Sequence, residues 1–315
     1  MWYLYIMKVY TEKALVKVSS EMVLLFGLLE EYPKEDEFCY NLKGEGRYHG
    51  LIEWCKQHIS YVDTPEDADV LALPYKFKGV EDDVYIKLAG FAKDLDKKLL
   101  CFYIDDSDKQ FGITPETVLY RTSFYKTTKK ENELAMMSLS PDFFEEKLLN
   151  EAKLRIGYCG QALKQRLCYL NAMNNSEEID CDYIFRPKTY FSLNVDKMEM
   201  RKEFFDNLIE NLFIFCYRGH GNYSYRLYEV LMMGRIPVLV DTDCVLPNEE
   251  VLTEDVGLFI DEKSMNSYNE INEHLVKYYT SNKDKLLEIQ KNNRKLWEKY
   301  YSPIGFVQNL IHKYA

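Results

Sequence analysis

The chain has 315 residues, 47% of them hydrophobic and 29% charged. That apolar content argues against disorder, and the length suits two cores better than one. With 40 basic and 51 acidic residues the net charge is -11, which argues against nucleic acid or an anionic membrane as the main partner, since both demand a broad basic surface, whereas a small anion needs only a local one.

At the amino end, the apolar run MVLLFGLL at 22–29 is far shorter than the ~20 residues that cross a bilayer. The opening MWYLYIM lacks the basic flank and length of a signal peptide. A soluble, cytoplasmic protein without a membrane span is expected. LYIMKVYT (4–11) reads as a first strand, Ser19 or Ser20 as the cap of a helix running through Glu30, and ADVLALP (68–74) and LLCFYID (99–105) as further strands between charged, helical stretches. A polar, weakly periodic passage from about 120 to 150, including Pro141, reads as the junction between a domain at 1–145 and a second at 146–315. Within it, KTTKK at 126–130 reads as a solvated face, and Arg121, Ser123, Asn132 and Glu133 are candidates to line a cleft. The second series opens at LRIGYCG (154–160). It continues with a strand near Tyr183, a helix around 199–211, the segment 212–247, the strand GLFID (257–261) and a helical tail from about 265, with Leu286, Ile289, Leu296 and Trp297 on its apolar side. Alternating β and α implies doubly wound parallel sheets, an α/β fold. Eight cysteines, at 39, 55, 101, 159, 168, 181, 216 and 244, form no C-x-x-C and mostly lie in apolar runs. They are expected as buried free thiols in a reducing compartment.

The most informative segment is LFIFCYRGHGNYSYRLYEVLMMGRIPVLVDTDCVLP at 212–247. An apolar strand through Tyr217 gives way to Arg218, Gly219, His220, Gly221 and Asn222, where glycines let backbone approach a ligand closely. Leu227, Val230, Leu231 and Gly234 then follow helical spacing. Gly234 stops the helix, and IPVLV is branched enough for a buried parallel strand. In such βαβ units ligands lie beyond the carboxyl ends of the strands, where a helix start and nearby arginines favour phosphate.

These residues also resemble the nucleotide-binding segment of the exostosin-like glycosyltransferases (glycosyltransferase family 47), R-G-x-G-x-x-S-x-R-L-x-E-x-L-x-x-G-x-I-P-V followed by a short acidic loop and L-P. The resemblance runs through Arg218, Gly219, Gly221, Ser224, Arg226, Leu227, Glu229, Leu231, Gly234, Ile236, Pro237, Val238, Leu246 and Pro247. TPEDADVLALPYKF at 64–77 is similar to a second motif of the family through Pro65, Glu66, Ala68, Asp69 and Pro74, and RIGYCGQ at 155–161 echoes the strand and glycine that open its second domain. Tyr217 stands where the family usually has proline, and a counterpart of the membrane anchor of eukaryotic members is not expected.

The resemblance implies a GT-B fold, two Rossmann-like domains facing a cleft. The donor lies in the second and the acceptor against the first, and the segment from Lys291 to Ala315 is a candidate to cross back. It implies an inverting transfer from a nucleotide-sugar, a UDP-sugar by family habit, to a glycan hydroxyl. A GDP-sugar donor or a non-catalytic two-domain binding protein are the alternatives. Arg218 and Arg226 suit the leaving diphosphate because guanidinium forks bind phosphate bidentately. Gly160, Gly219, His220, Gly221, Ser224, Tyr225, Glu229 and Asp243 complete the expected donor site. Glu229 is placed on the ribose or beside the reacting sugar, the other reading being an i,i+3 pair with Arg226. The general base is sought among Asp105, Asp106 and Asp108, after a strand of the first domain, and Asp105 is selected. Asp241-Thr242-Asp243 spells D-x-D, yet the family has its acidic loop there, so no metal and no other cofactor is expected.

Overall fold

The computed structural model describes residues 6–16, 51–137, 140, 142–150, 153–162, 164–188 and 196–315. The helix expected from Ser19 or Ser20 through Glu30, together with Cys39 and Pro141, lies outside them. Two all-parallel sheets carry the fold. The first comprises β1 (Met7–Tyr10), β2 (Ile59–Tyr61), β3 (Val70–Ala72), β4 (Lys98–Tyr103), β5 (Thr117–Arg121) and β6 (Glu133–Ala135), in the order β2-β1-β3-β4-β5-β6. Helices α1 (Leu51–His58) and α2 (Asp83–Asp94) connect its strands. Asp82 starts α2 by accepting from the Tyr85 N–H at 3.0 Å.

The second sheet comprises β7 (Arg155–Gly160), β8 (Asp180–Phe185), β9 (Phe213–Cys216), β10 (Ile236–Asp241) and β11 (Leu258–Asp261), in the order β11-β10-β9-β7-β8. Its helices are α3 (Gln165–Asn174), α4 (Lys197–Glu210) and α5 (Tyr225–Met232). The tail forms α6 (Glu270–Asn282), α7 (Leu286–Leu296) and α8 (Pro303–Tyr314). Among the described residues no helix is long and apolar enough to cross a membrane. Thus two parallel-sheet α/β units are present, with winding that reverses between β1 and β3 in one and between β7 and β9 in the other.

The polar, weakly periodic passage from about 120 to 150 holds the end of one strand and the whole of another. Thr117–Arg121 and Glu133–Ala135 are strands of the first sheet, hidden from sequence periodicity because Arg121 and Glu133 are polar yet wholly buried against each other, 2.8 Å apart. The cysteines also differ. Seven are described and five of these are buried, but Cys168 is exposed on α3 and Cys181 is half-buried on the edge strand β8.

One apolar cluster joins both units: Val9, Phe102 and Tyr120 of the first sheet pack with Leu227 and Leu231 of α5 and with Trp297, Phe306 and Leu310 of the tail. The last helix therefore lies on the first sheet. Ser302 caps it from the side chain and Pro303 fills its first turn. Phe306 meets Tyr120 edge-on at 5.7 Å, and the Tyr120 and Tyr314 hydroxyls are 3.2 Å apart.

Gly234 ends α5 with φ +63°, and a Cβ there would come within 2.8 Å of the Gln290 carbonyl oxygen on α7. Gly234→Ala is expected to cost about 1–3 kcal/mol from left-handed backbone and overpacking. A thermal melt reads this as a fall of several degrees, and an unchanged midpoint would refute it.

Candidate functional site

The reversal between β7 and β9 marks where a doubly wound sheet opens a crevice at its carboxyl edge. Arg226, in the first turn of α5, reaches that point. Its Nη2 donates to the Cys159 carbonyl at 2.6 Å and its Nη1 to the Phe215 carbonyl at 3.3 Å, so one guanidinium spans the ends of both strands. It lies over the Tyr158 ring, 4.2 Å from the centroid. Gly160 leaves it room: with φ +151°, a Cβ at that position would stand 2.9 Å from Arg226 Nη2.

A third arginine, which the sequence reading missed, joins this group. Arg166 of α3 donates from Nη1 to the Tyr158 hydroxyl at 3.2 Å and to the Gln161 carbonyl at 2.6 Å, and from Nη2 to the Arg218 carbonyl. Arg166 thus meets the hydroxyl and Arg226 the ring face of one tyrosine. Arg218 turns elsewhere: Nη1 donates to the Tyr125 hydroxyl of the first unit at 3.0 Å and Nη2 to the His220 carbonyl at 3.2 Å. All three spend their donors on carbonyls and hydroxyls, and among the described residues none pairs with a carboxylate. The Nε atoms of Arg166 and Arg226 are buried without a hydrogen-bond partner. The only sequence hint of Arg166 was its place just past the glycine that closes β7.

The glycine loop faces the first unit. The Gly219 N–H donates to the Tyr223 carbonyl at 2.9 Å, closing the turn on itself. A Cβ at Gly221 would lie 2.9 Å from both the Cα and the Oδ1 of Asp106, so backbone meets backbone there only because that position is glycine. Asn222, also missed, is almost fully buried. Its N–H donates to Ser123 Oγ at 2.8 Å, its amide to the Phe124 carbonyl at 3.2 Å, and its Oδ1 accepts from Thr242 Oγ1 at 2.6 Å. Asn following G-x-G is ordinary turn chemistry, and nothing in the sequence marked it as a cross-link. His220 and Tyr225 are exposed, while Ser224 is buried at the start of α5 without a side-chain capping bond.

Glu229 is buried and pairs with Arg201 of α4 at 2.7 Å. The i,i+3 pair with Arg226 does not form, because Arg226 is drawn to the strand carbonyls. Asp105 is held by Lys76 at 2.8 Å and accepts from the Ser107 N–H at 3.0 Å. Lys76 foremost, with backbone N–H groups and against some burial, keeps its carboxyl below the ordinary range. Asp106 is exposed beside Gly221. Burial first, then the neighbouring Tyr225 and Asp106, pushes the Tyr223 phenol up. Arg121, Ser123 and Glu133 are buried rather than lining the cleft, and Asn132 donates to the Thr114 and Thr117 carbonyls at 2.9 and 3.0 Å.

The D-T-D loop is tied to the first unit. Lys126 Nζ pairs with Asp241 at 2.8 Å and also with Glu249, and Thr127 Oγ1 donates to Asp243 at 2.7 Å. Asp243, at φ +66°, also gives its carbonyl to the Lys126 N–H at 2.9 Å. Burial opposes the charge on Lys126, but its two carboxylate partners outweigh that and raise its pKa. KTTKK is therefore an interdomain strap at its start, not simply a solvated face. Among the described residues no group of three or more His, Cys, Asp or Glu side chains is placed to hold a metal ion.

No protein-family model matches this chain. A 63-residue segment is 35% identical to the probable β-1,4-xylosyltransferase IRX10L of Arabidopsis thaliana, covering 20% of this chain and 15% of that protein. Among solved structures, the chain is similar to Anabaena HepE in complex with UDP, at 10% identity over 98% of this chain and 99% of that one with a TM-score of 0.45. It is similar also to a glycosyltransferase from Rickettsia africae, at 9% identity over 99% and 98% with a TM-score of 0.45. Likenesses of that strength speak neither to substrate nor to chemistry.

Proposed function

We propose that this protein is an inverting glycosyltransferase that moves a sugar from a nucleoside diphosphate donor, a UDP-sugar, to a glycan hydroxyl without a metal. The observation that carries the reading is the set of Arg166, Arg218 and Arg226, cationic and without carboxylate partners among the described residues, gathered around the β7–β9 reversal and the glycine loop. Two positive charges at a sheet's carboxyl edge, with a third on the glycine loop, suit a ligand with several negative ones, and a departing diphosphate gains charge as the glycosidic bond breaks. Each charged hydrogen bond contributes roughly 1.5–3 kcal/mol. The sequence motif and the short match to a protein named as a probable xylosyltransferase point the same way.

In this reading Ser224 adds a neutral donor, and Glu229, oriented by Arg201, accepts from the ribose. The general base is Asp106 rather than Asp105. Asp105 is committed to Lys76 and has its proton affinity lowered, whereas Asp106 is exposed against the glycine loop.

A thermal-shift panel of UDP, GDP and their sugars in excess EDTA tests this. UDP compounds at 100 times Kd should stabilise by about 2.7 kcal/mol by mass action, with donor turnover undiminished by the chelator. Stabilisation by GDP compounds alone would move the donor to that class. Strict manganese dependence would overturn the metal-free reading, ligand affinity without turnover would favour a binding protein, and no stabilisation by any nucleotide would overturn the proposal.

A further inference from the structure

Arg121, Glu133 and Ser123 take no part in donor binding, yet their contacts run from the interior of the first sheet to the glycine loop of the second. Arg121 is fully buried. It holds Glu133 through Nη1, and through Nη2 it donates to the Ser107 carbonyl at 3.3 Å and the Ser123 carbonyl at 3.1 Å. Its guanidinium packs against the rings of Tyr103, Phe111 and Phe124, with Phe124 at 5.0 Å. Ser107 belongs to the loop after β4 that carries Asp105, Asp106 and Asp108, the acid loop. Ser123 ends the turn after β5, and its Oγ donates to the Asp106 carbonyl at 2.9 Å while accepting the Asn222 N–H at 2.8 Å. One residue earlier, Thr122 Oγ1 donates to the Asp105 carbonyl at 2.9 Å, and the Asp105 N–H comes back to it at 3.3 Å.

We infer that Arg121 is a positioning residue, which through Ser107 and Ser123 fixes the acid loop against the glycine loop and so sets the height of Asp106 over the donor site. A buried ion pair adds little net stability over an apolar pair of similar volume, because two charges had to leave water. What this pair supplies is direction: a planar fork that reaches a carboxylate and two loop carbonyls at once, which neither lysine nor an apolar side chain can do. The inference rests on the function proposed above for its catalytic consequence, while the geometric coupling stands apart from it.

Arg121→Met alone strands a buried carboxylate and can fail to fold, so the test is the double variant Arg121→Met/Glu133→Leu, which removes both charges together. Its melting temperature should lie near that of the native protein and its affinity for UDP within about threefold. Turnover of the donor should fall at least tenfold, and the Asp105 and Asn222 amides should exchange with solvent at least tenfold faster. A merely structural pair predicts the opposite: activity returns with stability. Native-like turnover or unchanged exchange at both amides in the folded double variant would overturn the inference. If the native protein turned over no nucleotide-sugar at all, the proposed function would fall, and the exchange measurement would still decide the coupling.

Discussion

Arg226→Ala is expected to weaken UDP binding by on the order of 100-fold, about 2.7 kcal/mol, the largest effect of any single side chain at the donor site. A guanidinium has five N–H donors. Two are spent on the Cys159 and Phe215 carbonyls, which leaves a second hydrogen on each terminal nitrogen for a ligand. The strand carbonyls thus aim the fork before any ligand arrives, and preorganised donors bind more tightly because less ordering accompanies association. Arg226→Lys keeps the charge but cannot span two carbonyls and a phosphate together, so it should recover only part of the loss. Titration calorimetry with UDP checks both variants. Melting curves should fall modestly, by ~1–3 kcal/mol, since the lost partners are carbonyls at strand ends. Affinity unchanged in the alanine variant would remove Arg226 from the site, and with it the main support for a diphosphate ligand.

The parts of this fold that the sequence made legible are those whose causes are local. From Phe213 to Asp241, strand, glycine loop, helix and strand follow from hydrophobic period, two closely spaced glycines and a helix-stopping Gly234, and all four elements are present. Contacts between distant residues left no such trace. Glu229 sits three residues from Arg226, which suggested a pair, but an arginine 28 positions earlier on another helix takes the carboxylate. Asp241 and Asp243 spell a metal motif, yet Lys126 and Thr127, from a stretch that looked like solvated basic surface, occupy both. Arg121 and Glu133 made their strands look polar because charge within a sequence reads as exposure, and only the fold brings the opposite charge alongside. The same limit hid Arg166: its helix was unremarkable in pattern, and its importance comes from ending beside Tyr158 and the Arg218 carbonyl.

Gly221→Ala should separate binding from turnover. The added methyl would meet Tyr223 Cε1 at 2.8 Å and Asp106 Cα and Oδ1 at 2.9 Å. A ring edge and a carboxylate can rotate aside, but a Cα moves only with its backbone. The Asp106 carbonyl is held by Ser123 and the neighbouring Asn222 N–H by the same hydroxyl, so the two loops cannot slide past each other without breaking that pair of bonds. The acid loop is therefore forced away from the glycine loop by a fraction of an ångström to about 1 Å, a displacement that can cost on the order of 100-fold in rate when it moves a reacting group. The arginines around Tyr158 lie off this contact and keep their carbonyl partners, so UDP affinity should stay within a few-fold. Gly90→Ala on α2, where a Cβ meets nothing within 4 Å, is the control for the substitution itself and should behave as the native enzyme does. Measuring kcat and UDP affinity side by side distinguishes the outcomes: kcat lost with affinity kept is expected, whereas a Gly221→Ala enzyme as fast as the native one would mean that the approach of Asp106 to the glycine loop has no part in the chemistry.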